Sequence, residues 1–106
     1  MLLEKEVKFD EQRKQLGNML ICPHCGCHVL RHGTVIVFNR DEDAEITQVT
    51  TANNGQSKME LLPSETCGNP SYRQDGLTID FRCKKCENSS ELAIYHHKGM
   101  TFFEWR

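Results

Sequence analysis

The sequence predicts a mostly β protein, a small antiparallel sheet with a β-hairpin inserted in its middle. Three observations support this fold class. Apolar and β-branched residues alternate with polar ones, turn-forming residues separate these stretches, and two Cys-x-x-Cys pairs lie 57 residues apart. With 106 residues, of which 38% are hydrophobic, the chain has room for one domain with a thin core. Such domains usually need a cross-link or a metal.

The first 18 residues are charged and precede the predicted sheet. A short helix from about 3 to 16 is one expectation, because Leu3, Val7 and Leu16 fall on roughly one side. A flexible arm is the other, since this apolar stripe is sparse. The domain itself is expected to span residues 19–106, with residues 39–76 as the insertion.

Strands are expected at residues 19–21, 29–39, 44–52, 57–62, 77–82 and 101–105, where short apolar, β-branched or alternating stretches occur. Residues 53–55 (NNG) predict a tight hairpin turn, because Asn and Gly accept a positive φ. Residues 92–97 are apolar on both sides and fit either a strand or a short helix. Residues 63–76 are rich in turn formers and are expected to be the loosest segment.

The two cysteine pairs, residues 22–25 (CPHC) and 83–86 (CKKC), are called the first and second knuckles. Each turn can direct two sulfurs at one ion, and two such turns complete a tetrahedron. The chain is charged from Glu4 onward and contains no apolar run of signal-peptide or membrane length, so we expect a cytoplasmic protein with reduced thiols. Cys22, Cys25, Cys83 and Cys86 are therefore the predicted ligands of one structural zinc ion.

Residues beside the knuckles complete this expectation. Gly26 suits the left-handed conformation that follows the second ligand, whereas the second knuckle lacks a glycine, so Asn88 is expected to take that conformation one residue late. Cys27 and Cys67 are left over and are expected to be small buried thiols. A swapped ligand set or a Cys27–Cys67 contact is the alternative, and no histidine is expected to be a ligand.

Two knuckles around a strand-rich middle, with a terminal hairpin, resemble the zinc-ribbon family over residues 19–38 and 77–105. Residues 76–83 (GLTIDFRC), with 91–94 (ELAI) and 97–101 (HKGMT), look like small zinc-ribbon proteins of bacteria and phages, most of which have no assigned activity. The resemblance implies a zinc-ribbon-like antiparallel sheet and a bacterial or phage origin. It implies no particular reaction.

Charge and motifs narrow the function classes. The net charge of −2 lacks the basic excess of a typical DNA-binding domain, and residues 39–66 hold six acids against two bases. No open metal site, phosphate-binding glycine loop or catalytic triad stands out, so no enzyme is expected. A thiol–disulfide oxidoreductase is a remote alternative, because CPHC matches its motif but no helix or export signal accompanies it.

We favour a non-catalytic interaction module that binds a protein partner, such as host transcription or defence machinery. A homodimer formed through a sheet edge is a variant, and no membrane contact is expected. The alternative is a nucleic-acid-binding zinc ribbon with a basic edge built from Arg31, Arg82, Lys84, Lys85 and Lys98. The aromatic residues Phe81, Phe103 and Trp105 are expected to lie in the core rather than to stack on bases.

Overall fold

The computed structural model describes residues 5–10 and 17–106, and these residues form eight β-strands and no helix. Two short strands, β1 (Phe9–Asp10) and β2 (Met19–Leu20), pair with each other. The remaining strands are β3 (Leu30–Asn39), β4 (Ile46–Asn53), β5 (Gln56–Pro63), β6 (Gly76–Cys83), β7 (Ser89–His97) and β8 (Met100–Trp105). They form one antiparallel sheet in the order β5-β4-β3-β6-β7-β8, which confirms the mostly β fold class.

The N-terminal helix proposed for residues 3–16 lies largely outside the described residues. Residues 5–10, which are described, follow the sheet instead. The Trp105 amide donates a hydrogen bond to the Lys5 carbonyl at 2.9 Å, and the Ile21 amide donates to the Lys8 carbonyl at 3.2 Å. These bonds attach residues 5–8 to the outer edge of β8 and to the chain entering the first knuckle. Within the described residues, no helix is long and apolar enough to cross a membrane.

Two three-stranded meanders build the large sheet, and β3 pairs with β6 to join them. The predicted turn between β4 and β5 is confirmed, since Asn54 and Gly55 have φ of 47° and 77° and so match the hairpin turn that twisted strands prefer. Residues 92–97 belong to β7 and are therefore strand. A bulge interrupts the β3–β6 pairing between His32 and Val35.

The register assigns each strand residue to one of two faces, because side chains alternate across a strand. On the first face Phe38, Val49 and Ala93 are buried, and the segment 64–75 packs against this face at Thr47 and Gly76, so we call it the covered face. We call the second face the open face. One row of directly opposite residues crosses it, namely Met59, Thr50, Val37, Leu77, Ile94 and Phe103. Every second residue along each strand, counted from this row, points to the same face. Its end nearest the knuckles holds Leu92 and Trp105, both buried.

Trp105 is fully buried and Phe81 packs edge-on against it, with ring centroids 6.0 Å apart. Trp105 therefore confirms the expected core, whereas Phe81 is half-buried at its margin. The prediction that Phe103 belongs to the core is wrong, because its side chain is 52% exposed. Phe103 lies two residues before Trp105 on β8, so both side chains point to the open face. The first knuckle covers this face at Trp105 but does not reach Phe103.

The segment 64–75 is not loose, contrary to expectation. Its polar side chains bind groups that are distant in the sequence: the Ser64 and Thr47 hydroxyls lie 2.8 Å apart, and the Ser71 hydroxyl donates to the His96 carbonyl at 2.7 Å. Arg73 forms two hydrogen bonds with the Asp43 carboxylate, at 2.7 and 2.5 Å. Turn-forming residues predict the absence of a strand, but they do not reveal these long-range partners.

Candidate metal centre

The two knuckles have the same backbone structure. The amide of Gly26 donates to the carbonyl of Cys22, and the amide of Glu87 donates to the carbonyl of Cys83, both at 3.0 Å. The amide of each first cysteine also donates to the carbonyl five residues later, at 2.9 and 3.0 Å. The same two bonds close both turns, so the knuckles present their sulfurs in equivalent ways.

The left-handed residue of each knuckle directly follows the second cysteine. Gly26 has a φ of 77° and Glu87 a φ of 61°, so the prediction that Asn88 takes this conformation is wrong. The turn requires a positive φ at that position whatever the residue, and the hydrogen bonds of the knuckle hold Glu87 there. Asn88 has a different role, since its side-chain amide donates to the Cys86 sulfur at 3.4 Å.

The sheet topology brings the knuckles together despite the 57-residue gap. The second knuckle begins at Cys83, the last residue of β6, which pairs with Leu30 at the start of β3. The first knuckle immediately precedes β3, and the Lys84 amide donates to the Val29 carbonyl at 2.9 Å. Antiparallel pairing of β3 with β6 therefore places both knuckles at one end of the sheet.

The sulfurs of Cys22, Cys25, Cys83 and Cys86 all lie within 4.8 Å of one another. The Cys22–Cys86 distance is 3.8 Å and the Cys25–Cys83 distance is 3.6 Å. Four sulfurs bound at about 2.3 Å to a central ion would lie about 3.8 Å apart in a tetrahedron, so the spacing fits a four-coordinate metal. The same distances exclude disulfides, whose sulfurs lie about 2.0 Å apart, and all six cysteines are free.

The backbone around the second knuckle favours thiolates. Amide hydrogen bonds from Cys86 and Lys85 lower the pKa of Cys83 to about 6 despite its burial. The amide of Asn88, assisted by its side chain, likewise holds the pKa of Cys86 below the ordinary value. Amide donors directed at sulfur stabilise its charged form, which is the form that binds a metal.

In the first knuckle the pKa values of both cysteines are raised instead. The Cys27 amide by itself would lower the pKa of Cys25, but loss of hydration and the neighbouring sulfurs outweigh it and raise that pKa to about 12. Burial likewise raises the pKa of Cys22. Four thiolates at this spacing repel one another unless a cation lies between them. The cluster is therefore suited to a divalent ion, and four sulfurs complete its tetrahedral coordination.

Cys27 and Cys67 are not part of this cluster. The Cys27 sulfur accepts a hydrogen bond from the Val29 amide at 3.3 Å, and the Cys67 thiol lies 3.6 Å from the Ser64 carbonyl. Both are half-buried, so the expectation of buried thiols is only partly met, and each interacts with its own neighbours rather than with the other. No histidine joins the four cysteines among the described residues.

Comparisons with known proteins found no match for this chain among family models, curated proteins or solved structures. The zinc-ribbon likeness therefore remains a resemblance in motifs. The class of site rests on the four-cysteine geometry, which defines a metal-binding module.

A basic groove lies close to the metal centre. Arg31 is paired directly opposite Arg82 across β3 and β6, and both line a groove of about 290 Å³ with Lys84. Neither arginine forms an ion pair with a described residue. Lys98, which the sequence grouped with these bases, lies in the β7–β8 turn at the opposite end of β7. The structure thus brings together three of the five predicted bases.

Proposed function

We propose that this protein is a non-catalytic interaction module whose sheet is fastened by one structural zinc ion. The observation that carries the proposal is the tetrahedral spacing of the sulfurs of Cys22, Cys25, Cys83 and Cys86. Zinc prefers such a set, and four thiolates leave no open coordination position for water or substrate. A site of this kind stabilises a fold and performs no hydrolysis. Thiolate ligands must stay reduced, so we assign the protein to the cytoplasm.

The interaction half of the proposal is supported by exposed apolar side chains on regular strands. Met59 and Leu61 are 63% and 68% exposed and point to the same side of β5. Large apolar side chains that cluster on a rigid surface mark binding sites for proteins. A protein partner is therefore the ligand that this surface fits best, and host transcription or defence machinery is the class we propose if the protein is encoded by a phage.

Metal content tests the zinc half of the proposal. Native mass spectrometry, combined with elemental analysis, should find one zinc ion per chain. Cys86→Ser should lower the content well below one, whereas Cys67→Ser, which changes a cysteine outside the cluster, should leave it at one. Iron in place of zinc would be identified in the same measurement, since it also accepts four thiolates. A chain that binds no metal at all would contradict the proposal.

Partner capture tests the interaction half. Wild-type protein and Met59→Glu should be used as parallel baits, because the substitution places a charge on an apolar position that is 63% exposed. A protein that the wild type retains and the variant loses, at equal zinc content, is the expected result. Equal capture by both baits would mean that the partner does not contact Met59 on β5.

Nucleic-acid binding is the second candidate. It is favoured by Arg31 and Arg82, which lie opposite each other and form no ion pair within the described part of the chain. Like charges placed directly opposite each other destabilise a sheet unless an anion separates them. Fluorescence anisotropy with a labelled single strand should show binding that weakens with salt. Three phosphate contacts predict a slope of about −2 in log K against log salt. Arg31→Gln and Arg82→Gln should each weaken it, with Lys98→Gln as the distant control. No binding at low salt would dismiss this candidate.

A further inference from the structure

The open face of the sheet has no charged side chain at any strand position of β3–β8. Charged residues make up 26% of the chain, and those on these strands all lie on the covered face, namely Arg31, Lys58, Glu60, Asp80, Arg82, Glu91 and Glu104. This segregation is not needed for a surface that faces water, where alternation normally places charges outward. It is what a face that packs against another apolar surface requires.

Only one end of the open face is covered within the described part of the chain. Trp105 lines a small cavity with Ile21, Cys22 and Pro23, so the first knuckle packs over that end. Away from it the large side chains are in contact with solvent, with exposed fractions of 52% for Ile46, 63% for Met59, 68% for Leu61 and 52% for Phe103. Val37, Leu77 and Ile94 lie half-buried between them and form an apolar row on the central strands β3, β6 and β7, whereas β4 carries Thr50 in this row.

The area of this face is close to what a stable interface needs. With roughly 200 Å² for each large side chain, the four most exposed residues present on the order of 500 Å², and their half-buried neighbours raise the total to about 700 Å². A standard interface buries about 800 Å² on each partner. The largest apolar patch on an ordinary monomer is about 300–600 Å².

We infer that the open face binds a second copy of this chain, so that two sheets pack face to face in a symmetric β-sandwich. This inference rests on the proposed interaction function and names its partner. A second copy brings a surface whose strand positions likewise carry no charge, and two such faces pack at the spacing of about 10 Å typical of sandwiches. The charged residues next to this face, Arg40, Asp41 and Asp75, line a groove with Ile46 and Leu61 at the end away from the knuckles. At the β8 edge the edge pairing expected from the sequence would compete with residues 5–8, since the Lys5 carbonyl already accepts from the Trp105 amide.

Light scattering after size exclusion tests the inference on the zinc-loaded protein. Wild-type protein should have twice the chain mass of 12.2 kDa and dissociate only on dilution. Met59→Glu should be monomeric at concentrations where the wild type is a dimer, because it buries two like charges. Gln56→Glu makes the same charge change on the same strand but on the covered face, and it should remain dimeric. Circular dichroism should show equal strand content in all three.

The outcomes separate the two proposals. A wild-type monomer at about 200 µM would overturn the inference, because a sandwich of this area should have formed at that concentration. A dimer that persists in both Met59→Glu and Phe103→Glu would also overturn it, since the contact must then lie elsewhere. In either case the proposed interaction module would still be supported if the protein binds one zinc per chain and if the wild type captures another protein that Met59→Glu does not capture. A dimer that is lost in Met59→Glu and kept in Gln56→Glu supports the inference.

Discussion

Removing the metal should destabilise this protein more than any single core substitution. The knuckles connect two points of the chain that 57 residues separate, so the metal acts as a cross-link across that loop. By the chain-entropy relation, closing a loop of this length contributes about 4 kcal/mol. The sulfur–metal bonds add to this figure, since structural zinc sites are worth about 10 kcal/mol or more at neutral pH. The total is comparable to the whole free energy of unfolding of a small domain.

The assay uses the single tryptophan of the chain. Trp105 is fully buried next to the first knuckle, so its fluorescence should shift to longer wavelength when that knuckle detaches. Thermal melts should be compared with and without a strong chelator under reducing conditions. A loss of 4 kcal/mol lowers the Tm by at least about 15 °C in a domain of this size. Complete unfolding at room temperature is the expected result if the larger figure applies.

Two variants make this test specific. Cys83→Ser removes a fully buried ligand, whereas Cys67→Ser changes a half-buried cysteine outside the cluster. Only the first should abolish the response to chelator, because it should already lack metal. A metal-free protein with a Tm within about 3 °C of the loaded one would refute the reasoning, since the cross-link would then contribute almost nothing.

Three further predictions concern the backbone and the loop. Gly76→Ala should lower the free energy of unfolding by about 2 kcal/mol in chemical denaturation, because a Cβ there would meet the segment 64–75 at less than van der Waals distance, while Gly33→Ala, with open space around it, serves as the control. Glu87→Gly should leave the stability unchanged or raise it by about 1 kcal/mol, since it relieves a positive φ; a clear loss would contradict that strain. The Arg73 guanidinium holds the pKa of Asp43 below its usual range, so its stabilisation is present above the ordinary aspartate pKa and lost as the pH falls through the lowered value. Arg73→Gln should raise that pKa in an NMR titration, and an unchanged pKa would mean that the ion pair does not form in solution.

Local patterns in the sequence were sufficient for most of the fold. Strands β3 to β6 and β8 follow from alternation, and the β4–β5 hairpin follows from Asn54 and Gly55, because these signals depend on residues only one or two positions apart. The four cysteines of the candidate site follow in the same way, since a Cys-x-x-Cys turn is a local structure. The ambiguity of residues 92–97 shows the limit of such patterns. A central strand buried on both sides does not alternate.

The strand order and everything that depends on it required the tertiary structure. Pairing of β3 with β6 places the knuckles together, and no local signal specifies that these two strands become neighbours. The same register opposes Arg31 to Arg82 and gathers all strand charges on one face. The positive φ of Glu87 follows from the geometry of the knuckle turn and not from residue preference.

The sequence by itself thus determined the kind of structure and the atoms that can hold the metal. Only the tertiary structure decided that Phe103 lies on an open apolar face while Trp105, two residues away on the same side, lies in the core. The physical reason is that burial depends on what covers a face. Coverage comes from segments distant in the chain, such as the first knuckle, whose position is set by long-range pairing that alternation cannot encode.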